Sequence, residues 1–218
     1  VGGNLICIEG IDGTGKSTQF ELLKKKLKGT NVKVVSFPQY DLIASSLLKK
    51  YLKGAYGRAD AVNPYAASTF FAVDRIDSYL KNNGWRTHYQ SGGHVLTDRY
   101  TTANAVHQAA KLPDDEILPF CDWLFDFEYN KLGLPAPRKV IYLNMEPEVS
   151  QHLIVQRATG GDIHEIDADY RRRAHRAGLL VAQYYGWHII DCAPDGKLRT
   201  IEDIHSEICG IVGEFYNI

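Results

Sequence analysis

The sequence predicts an α/β domain of three layers, a five-stranded, mainly parallel sheet with helices on both faces. Two observations carry this. Short apolar runs alternate with amphipathic stretches along the chain, which implies right-handed strand–helix–strand crossovers. The 218 residues contain no internal repeat, low-complexity tract or interdomain linker, so residues 1–218 are expected to form a single domain.

Leu5-Ile6-Cys7-Ile8 is the first strand, followed by a helix from Ser17 to Lys28 with Phe20, Leu23 and Leu27 on one face. Val32 to Phe37 is the second strand, ending at Pro38, whose missing N–H discourages further sheet pairing. A long helix follows Pro64 and runs to about Asn82. Val95-Leu96-Thr97 is the third strand and Thr101 to Ala110 another helix. The acidic and aromatic segment from Pro113 to about Lys131 reads as helix, with Pro119 obscuring its start. Val140 to Leu143 and His188 to Ile190 are the last two strands. In the final helix Ile201, Ile204, Ile208, Ile211 and Phe215 step by three and four.

Composition removes several classes of function. A hydrophobic fraction of 44% and a charged fraction of 23% exclude a disordered chain. No run approaches the ~18 apolar residues that a membrane span requires. A net charge of −1 argues against a dedicated nucleic-acid binder, so an anionic ligand must be met by local charge. Cys7, Cys121, Cys192 and Cys209 are widely spaced and His residues show no metal-binding pair, which points to reduced, mostly buried thiols and no zinc. With no secretory apolar core before the first strand, a cytoplasmic protein is expected.

The local charge lies after the first strand. GIDGTGKS, Gly10 to Ser17, fits the phosphate-binding pattern G-x-x-x-x-G-K-[ST]. Gly10, Gly13 and Gly15 let the backbone curl with its N–H groups inward, and the following helix adds the positive end of its dipole. Lys16 would reach the β- and γ-phosphates and the Ser17 hydroxyl would ligate Mg²⁺. A nucleoside triphosphate binder on a P-loop NTPase-like domain is therefore expected. Asp98-Arg99-Tyr100 follows the third strand, at the edge where open parallel sheets bind ligands. There Asp98 can hold magnesium or the nucleophile, and Arg99 can fork onto a phosphate. Phe71 and Arg75 sit four residues apart on one helix face, a flat ring beside a planar donor suited to a base.

GIDGTGKST, the FPQY at 37–40, the Phe71…Arg75 pair, DRY at 98–100 with Asn104, and DIHE at 162–165 occur in an order that resembles the thymidylate kinases, over almost the whole chain. The resemblance implies Mg²⁺-dependent transfer of the ATP γ-phosphoryl group to dTMP, and a homodimer. It implies a nucleotide-binding set of Gly10, Asp12, Gly13, Thr14, Gly15, Lys16, Ser17 and Thr18. Asp12 would lie near the deoxyribose and the magnesium, with Ser17 and Asp98 as further metal candidates. Phe71 would stack on thymine, Arg75 contact its O4 and Asn104 add a further base contact. Arg99 would clamp the acceptor phosphate, joined by Tyr40. Residues 156–167 would form a mobile lid carrying the catalytic Arg157, with His164 and Glu165 near the substrates.

The chain departs from that pattern in places. Gly13 stands where one branch has an Arg, Ile163 and His164 where many lids carry Arg, and His107 where Tyr or Phe often meets the sugar. Arg157 is then the main lid cation and Arg171 a second. Arg171, Arg172, Arg173 and Arg176 together read better as a solvated helix face, with Asp169 spaced to pair with Arg173. Trp85, Trp123 and Trp187 read as packing residues. A nucleotide-dependent switch is the alternative from another class, although Asn130-Lys131-Leu132-Gly133 lacks the Asp of a guanine reader. A deoxynucleoside kinase is the nearer rival, kept alive by Glu9 as a potential base.

Overall fold

The computed structural model describes residues 2–151 and 168–216. Five strands, β1 (Leu5–Glu9), β2 (Val32–Ser36), β3 (His94–Asp98), β4 (Lys139–Asn144) and β5 (His188–Asp191), form one sheet in the order β2-β3-β1-β4-β5. Every pairing is parallel, as the strand–helix alternation predicts. The helices are α1 (Lys16–Lys26), α2 (Ser46–Leu52), α3 (Pro64–Leu80), α4 (Arg86–Gln90), α5 (Thr101–His107), α6 (Asp114–Phe125), α7 (Ala168–Tyr184) and α8 (Ile201–Tyr216).

Both faces of the sheet are covered, so successive residues of β1 enter different cores. Ile6 and Ile8 pack with Leu96 and Ile141 against Phe20, Leu23 and Leu27 of the α1 segment and Ile204 and Ile208 of α8. Each of these side chains contributes about 1.5–3 kcal/mol by leaving water. Leu5 and Cys7 face the other way, towards Tyr79, Trp85 and Tyr100. A further core joins α5, α6 and α7 around Phe120, Tyr142 and Val181. Trp85 is buried, and Trp123 and Trp187 pack at the edge of that core, in keeping with their reading as packing residues. Cys7, Cys121 and Cys192 are buried free thiols and Cys209 is half-buried. Among the described residues no helix is long and apolar enough to cross a membrane.

Several local expectations change. Helices α2 and α4 are additional to the predicted set; at 7 and 5 residues they are too short to display a periodic face. Pro119 does not obscure a helix start but lies inside α6, which begins at Asp114 with Asp114, Asp115 and Glu116 against the positive end of its dipole. The helix predicted to continue to Lys131 becomes a π-helix over Asp126–Lys131. On α7, Arg171 is buried rather than solvated, and Asp169 pairs with Arg172, three residues on, rather than with Arg173. Arg172 also meets Glu148, and Arg176 meets Asp114.

The register places the functional segments. Ile8 of β1 lies opposite Asp98 of β3, so the turns leaving these two strands emerge side by side at the carboxyl edge of the sheet.

Candidate active site

The turn from β1 to α1 is the Gly-rich loop. Gly10, Gly13 and Gly15 have φ of 155°, 87° and 84°. At Gly10 a Cβ would lie 2.8 Å from the Leu143 carbonyl oxygen and 2.9 Å from Thr14 Oγ1, so the close approach to β4 also requires glycine. Thr14 Oγ1 donates to the Ile11 carbonyl at 2.9 Å, closing the loop on itself. Ser17, in the first turn of α1, is exposed, and Thr18 is half-buried.

Lys16 is buried, with its ammonium donating to the Gly10 carbonyl at 2.6 Å and lying 4.0 Å from Glu9 Oε1. Burial lowers its pKa and Arg99 adds to that, while Glu9 and Asp12 oppose it. Glu9 is fully buried and accepts from Thr102 Oγ1 at 2.9 Å and the Gly10 N–H at 3.2 Å. Burial raises its pKa against the pull of Lys16 and Arg99.

The turn from β3 to α5 carries Asp98 and Arg99. Arg99 occupies the left-handed region at φ 54°, which costs a non-glycine residue about 1–2 kcal/mol. Its N–H lies 3.4 Å from the Ile8 carbonyl and its own carbonyl accepts from Thr97 Oγ1 at 3.1 Å, which hold the turn in place. The gain is direction: the guanidinium points across to the Gly-rich loop, with Nη2 2.6 Å from Asp12 Oδ1 and Nη1 3.3 Å from His107 Nε2. Burial opposes the Asp12 charge, but Arg99, Lys16 and His107 together hold its carboxyl well below the usual range. Asp98 Oδ1 is buried without a hydrogen-bond partner.

Helix α3 supplies the third wall. Asn63 caps it by accepting from the Tyr65 and Ala66 N–H groups at 2.9 and 3.3 Å, and Pro64 occupies the first turn, where no donor is lost. Phe71 and Arg75 share the inward face. Arg75 is buried and held by Glu128 of the π-helix through Nε at 2.7 Å and Nη2 at 2.5 Å. Before α3 comes the 37–45 segment, tied down by Asp74, which accepts from the Gln39 N–H at 3.0 Å and Ser45 Oγ at 2.6 Å.

These walls enclose a cavity of about 300 Å³. Of the residues singled out in the sequence, Asp12, Tyr40, Phe71, Arg75, Arg99, Asn104 and His107 line it. Lys16, Ser17 and Asp98 stand beside it, in the loop and at the strand end, outside its lining. Arg157, His164 and Glu165, with the expected lid, lie outside the described residues. Three further residues matter that the sequence reading missed. Gln108 lines the cavity, is 3% exposed and leaves Oε1 unpartnered. Its spacing of four residues from Asn104 was a usable signal. Tyr170 lines the far side, its hydroxyl 3.1 Å from His107 Nδ1. Glu128 reaches Arg75 from 53 residues away, and nothing local announces it.

The arrangement joins the Gly-rich loop to a half-open pocket lined by an aromatic ring and by donor and acceptor groups, with Arg99 at the junction. The comparisons agree with it. The family model described as Thymidylate kinase matches residues 8–208. The chain is 31% identical over 208 residues to the thymidylate kinase of Mycobacterium tuberculosis, covering 90% of this chain and 95% of that protein. It is 30% identical over 220 residues to a probable thymidylate kinase of Thermococcus gammatolerans, covering 96% of each. In fold it is similar to the solved thymidylate kinase of Candida albicans, with a TM-score of 0.73 at 22% identity over 98% of this chain and 92% of that one. With the sequence match running through both the Gly-rich loop and the cavity segments, the chain belongs to the thymidylate kinase family.

Proposed function

We infer that this dTMP kinase seats the ATP phosphates on the Gly10–Ser17 loop and dTMP in the adjoining cavity, with transfer at their junction. One observation carries the assignment: the Arg99 guanidinium, on the cavity wall, bonds Asp12 of the loop at 2.6 Å. A cation there lies between the two phosphate groups that must meet. Phosphoryl transfer needs positioning and charge neutralisation. The acceptor phosphate is already an anion, so its oxygen attacks the γ-phosphorus, the bond to the β-bridging oxygen breaks, and ADP leaves without a protein base. Lys16 and Arg99 hold the two repelling anions in line. Phe71 stacks on the base, Arg75 donates to O4, and Asn104 and Gln108 complete the base edge. Tyr40 joins Arg99 at the acceptor phosphate, and His107, fixed by Tyr170, faces the sugar.

The residues present fit a magnesium ion. Asp98 Oδ1 is a buried carboxylate oxygen without a partner, and Ser17 lies in the first turn of α1 beside the loop. Among the described residues no group of three His, Cys, Asp or Glu forms a protein-only metal cage. Mg²⁺ takes one or two carboxylates and completes its shell with phosphates and water. Ser17 and Asp98, with Asp12 nearby, would hold it. Bound there, it would neutralise charge on the transferring group.

The deoxynucleoside kinase reading requires a base near the sugar hydroxyl. Glu9 is turned into the protein towards Thr102 and Lys16 and does not line the cavity. The monophosphate reading is therefore preferred. A homodimer, taken from the family, is checked by sedimentation of the purified protein.

Phe71→Ala tests the acceptor site. Base stacking is worth about 1–3 kcal/mol, so KM for dTMP should rise by roughly 5–150-fold while KM for ATP changes little. Equal effects on both substrates would return Phe71 to the core. Arg157 is proposed as the further cation at the γ-phosphate, needed because Gly13 has no side chain. Arg157→Ala should lower kcat by ~10²-fold with calorimetric ATP affinity nearly unchanged, and Arg173→Ala should stay near wild type. The reverse pattern would move the cation to α7.

A further inference from the structure

We propose that Glu128, carried inward by the π-helix after α6, is a positioning residue that locks Arg75 as a donor-only reader and thereby sets the preference for a 4-oxo over a 4-amino pyrimidine. The proposal rests on the acceptor-site reading above. A guanidinium has five N–H groups and no acceptor. Three are engaged: Nε and Nη2 on the Glu128 oxygens at 2.7 and 2.5 Å, and Nη1 on the Tyr100 carbonyl at 3.3 Å. The remaining donors, one on each Nη, belong to a side chain that lines the cavity. Glu128 is itself fixed by Thr101 Oγ1 at 2.8 Å and is fully buried. The fork therefore cannot swing without breaking a bidentate, charge-assisted pair.

The other polar groups at the base edge, Asn104 and Gln108, are amides, which present either an acceptor or donors according to how the group is turned. The Gln108 amide, whose Oε1 has no partner, can turn to suit a 4-oxo or a 4-amino group, while Asn104 Nδ2 is a donor to the Ser68 carbonyl at 3.5 Å. Among the described residues assigned to the base edge Arg75 is the one obliged to donate, and an amino group facing it meets donor against donor. Discrimination at that position thus depends on how rigidly Arg75 is aimed.

The backbone is built to provide that rigidity. The Leu132 N–H bonds the Phe127 carbonyl at 2.9 Å, a five-residue step. On the outer side Asp126 ties to Lys131 over the same step at 3.4 Å. On the inner side Tyr129 stacks on Phe125 and Tyr100. This wide turn keeps Glu128 on the buried side, and π-turns of this kind recur at functional sites. A buried ion pair is weak evidence of a stabilising role, so one this well satisfied is better explained by what it orients.

The test is the ratio of kcat/KM for dTMP to that for dCMP, measured on the same preparation. Both acceptors share the same folded fraction, so a purely structural role leaves the ratio unmoved. Glu128→Gln places an amide N–H against the guanidinium while preserving shape. The ratio should fall ~10-fold or more and KM for dTMP should rise, with KM for ATP within about two-fold. An unchanged ratio, with Arg75→Ala collapsing it, would overturn the proposal while leaving the acceptor reading intact. An unchanged ratio and KM in Arg75→Ala itself would remove the acceptor reading and the proposal with it. If Glu128→Gln does not fold, Glu128→Asp, which keeps the charge and withdraws it by one methylene, carries the same two outcomes.

Discussion

Arg99→Ala is expected to lower kcat/KM for dTMP by ~10³-fold while ATP affinity changes little. Arg99 bonds across from the cavity wall to Asp12 of the Gly-rich loop at 2.6 Å. A contact from it to an acceptor phosphate would be charge-assisted and partly withdrawn from water. The left-handed backbone at φ 54° is a second sign that position 99 serves direction rather than stability. Alanine keeps the same unfavourable φ and gives nothing in return. The loss is also visible in pH. Burial opposes the Asp12 charge, and Arg99 is the foremost of the cations that outweigh it and depress its folded pKa. A depressed carboxylate stabilises the fold above its unfolded pKa of about 4, and that stability is lost as pH falls through the folded value. The Tm difference between wild type and Arg99→Ala should therefore be largest above about pH 4 and shrink below it. A pH-independent Tm difference would show that Asp12 and Arg99 are not coupled, and kcat/KM within about three-fold of wild type would remove Arg99 from the acceptor site.

Lys16→Ala is expected to lower kcat by at least ~10²-fold with the fold intact. The ammonium lies in the middle of the loop, 2.6 Å from the Gly10 carbonyl, where the β- and γ-phosphates are assigned. Removing it deprives Glu9, 4.0 Å away, of a counterion in a fully buried setting. Burial already raises the Glu9 pKa, so the side chain can take up a proton rather than remain an unpaired buried charge. The variant should therefore melt near wild type. Stopped-assay kcat beside a thermal melt checks both statements. Activity within about three-fold of wild type would exclude the Gly-rich loop from the mechanism.

The parts of this site that were legible in the sequence are those whose chemistry is local. Three glycines, a lysine and a serine within Gly10–Ser17 state their own purpose, and Asp98-Arg99 follows a recognisable strand. Phe71 and Arg75 share a helix face by spacing alone. What brings these segments together is the parallel register of β1 and β3, Ile8 opposite Asp98, which no local pattern encodes. Glu128 escaped for a sharper reason: its inward direction comes from a π-turn, and the 3.6-residue period used to read a helix face fails there. Arg171 escaped because a run of arginines reads as solvated, yet α7 turns that one position inward. Pro119 misled in the opposite direction, since a single proline one and a half turns into a helix with a strong acidic start is tolerated.

The central claim, that the cavity beside the Gly-rich loop takes a thymine nucleotide whose phosphate accepts the γ-phosphoryl group, is tested most directly by one coupled assay. ADP formation from ATP and magnesium is followed with no acceptor, thymidine, dTMP, dUMP or dCMP. The account predicts rapid ADP release with dTMP, matched by an equal amount of dTDP, and only background with thymidine or without acceptor. ADP release that needs no acceptor, or that thymidine supports and dTMP does not, would contradict it.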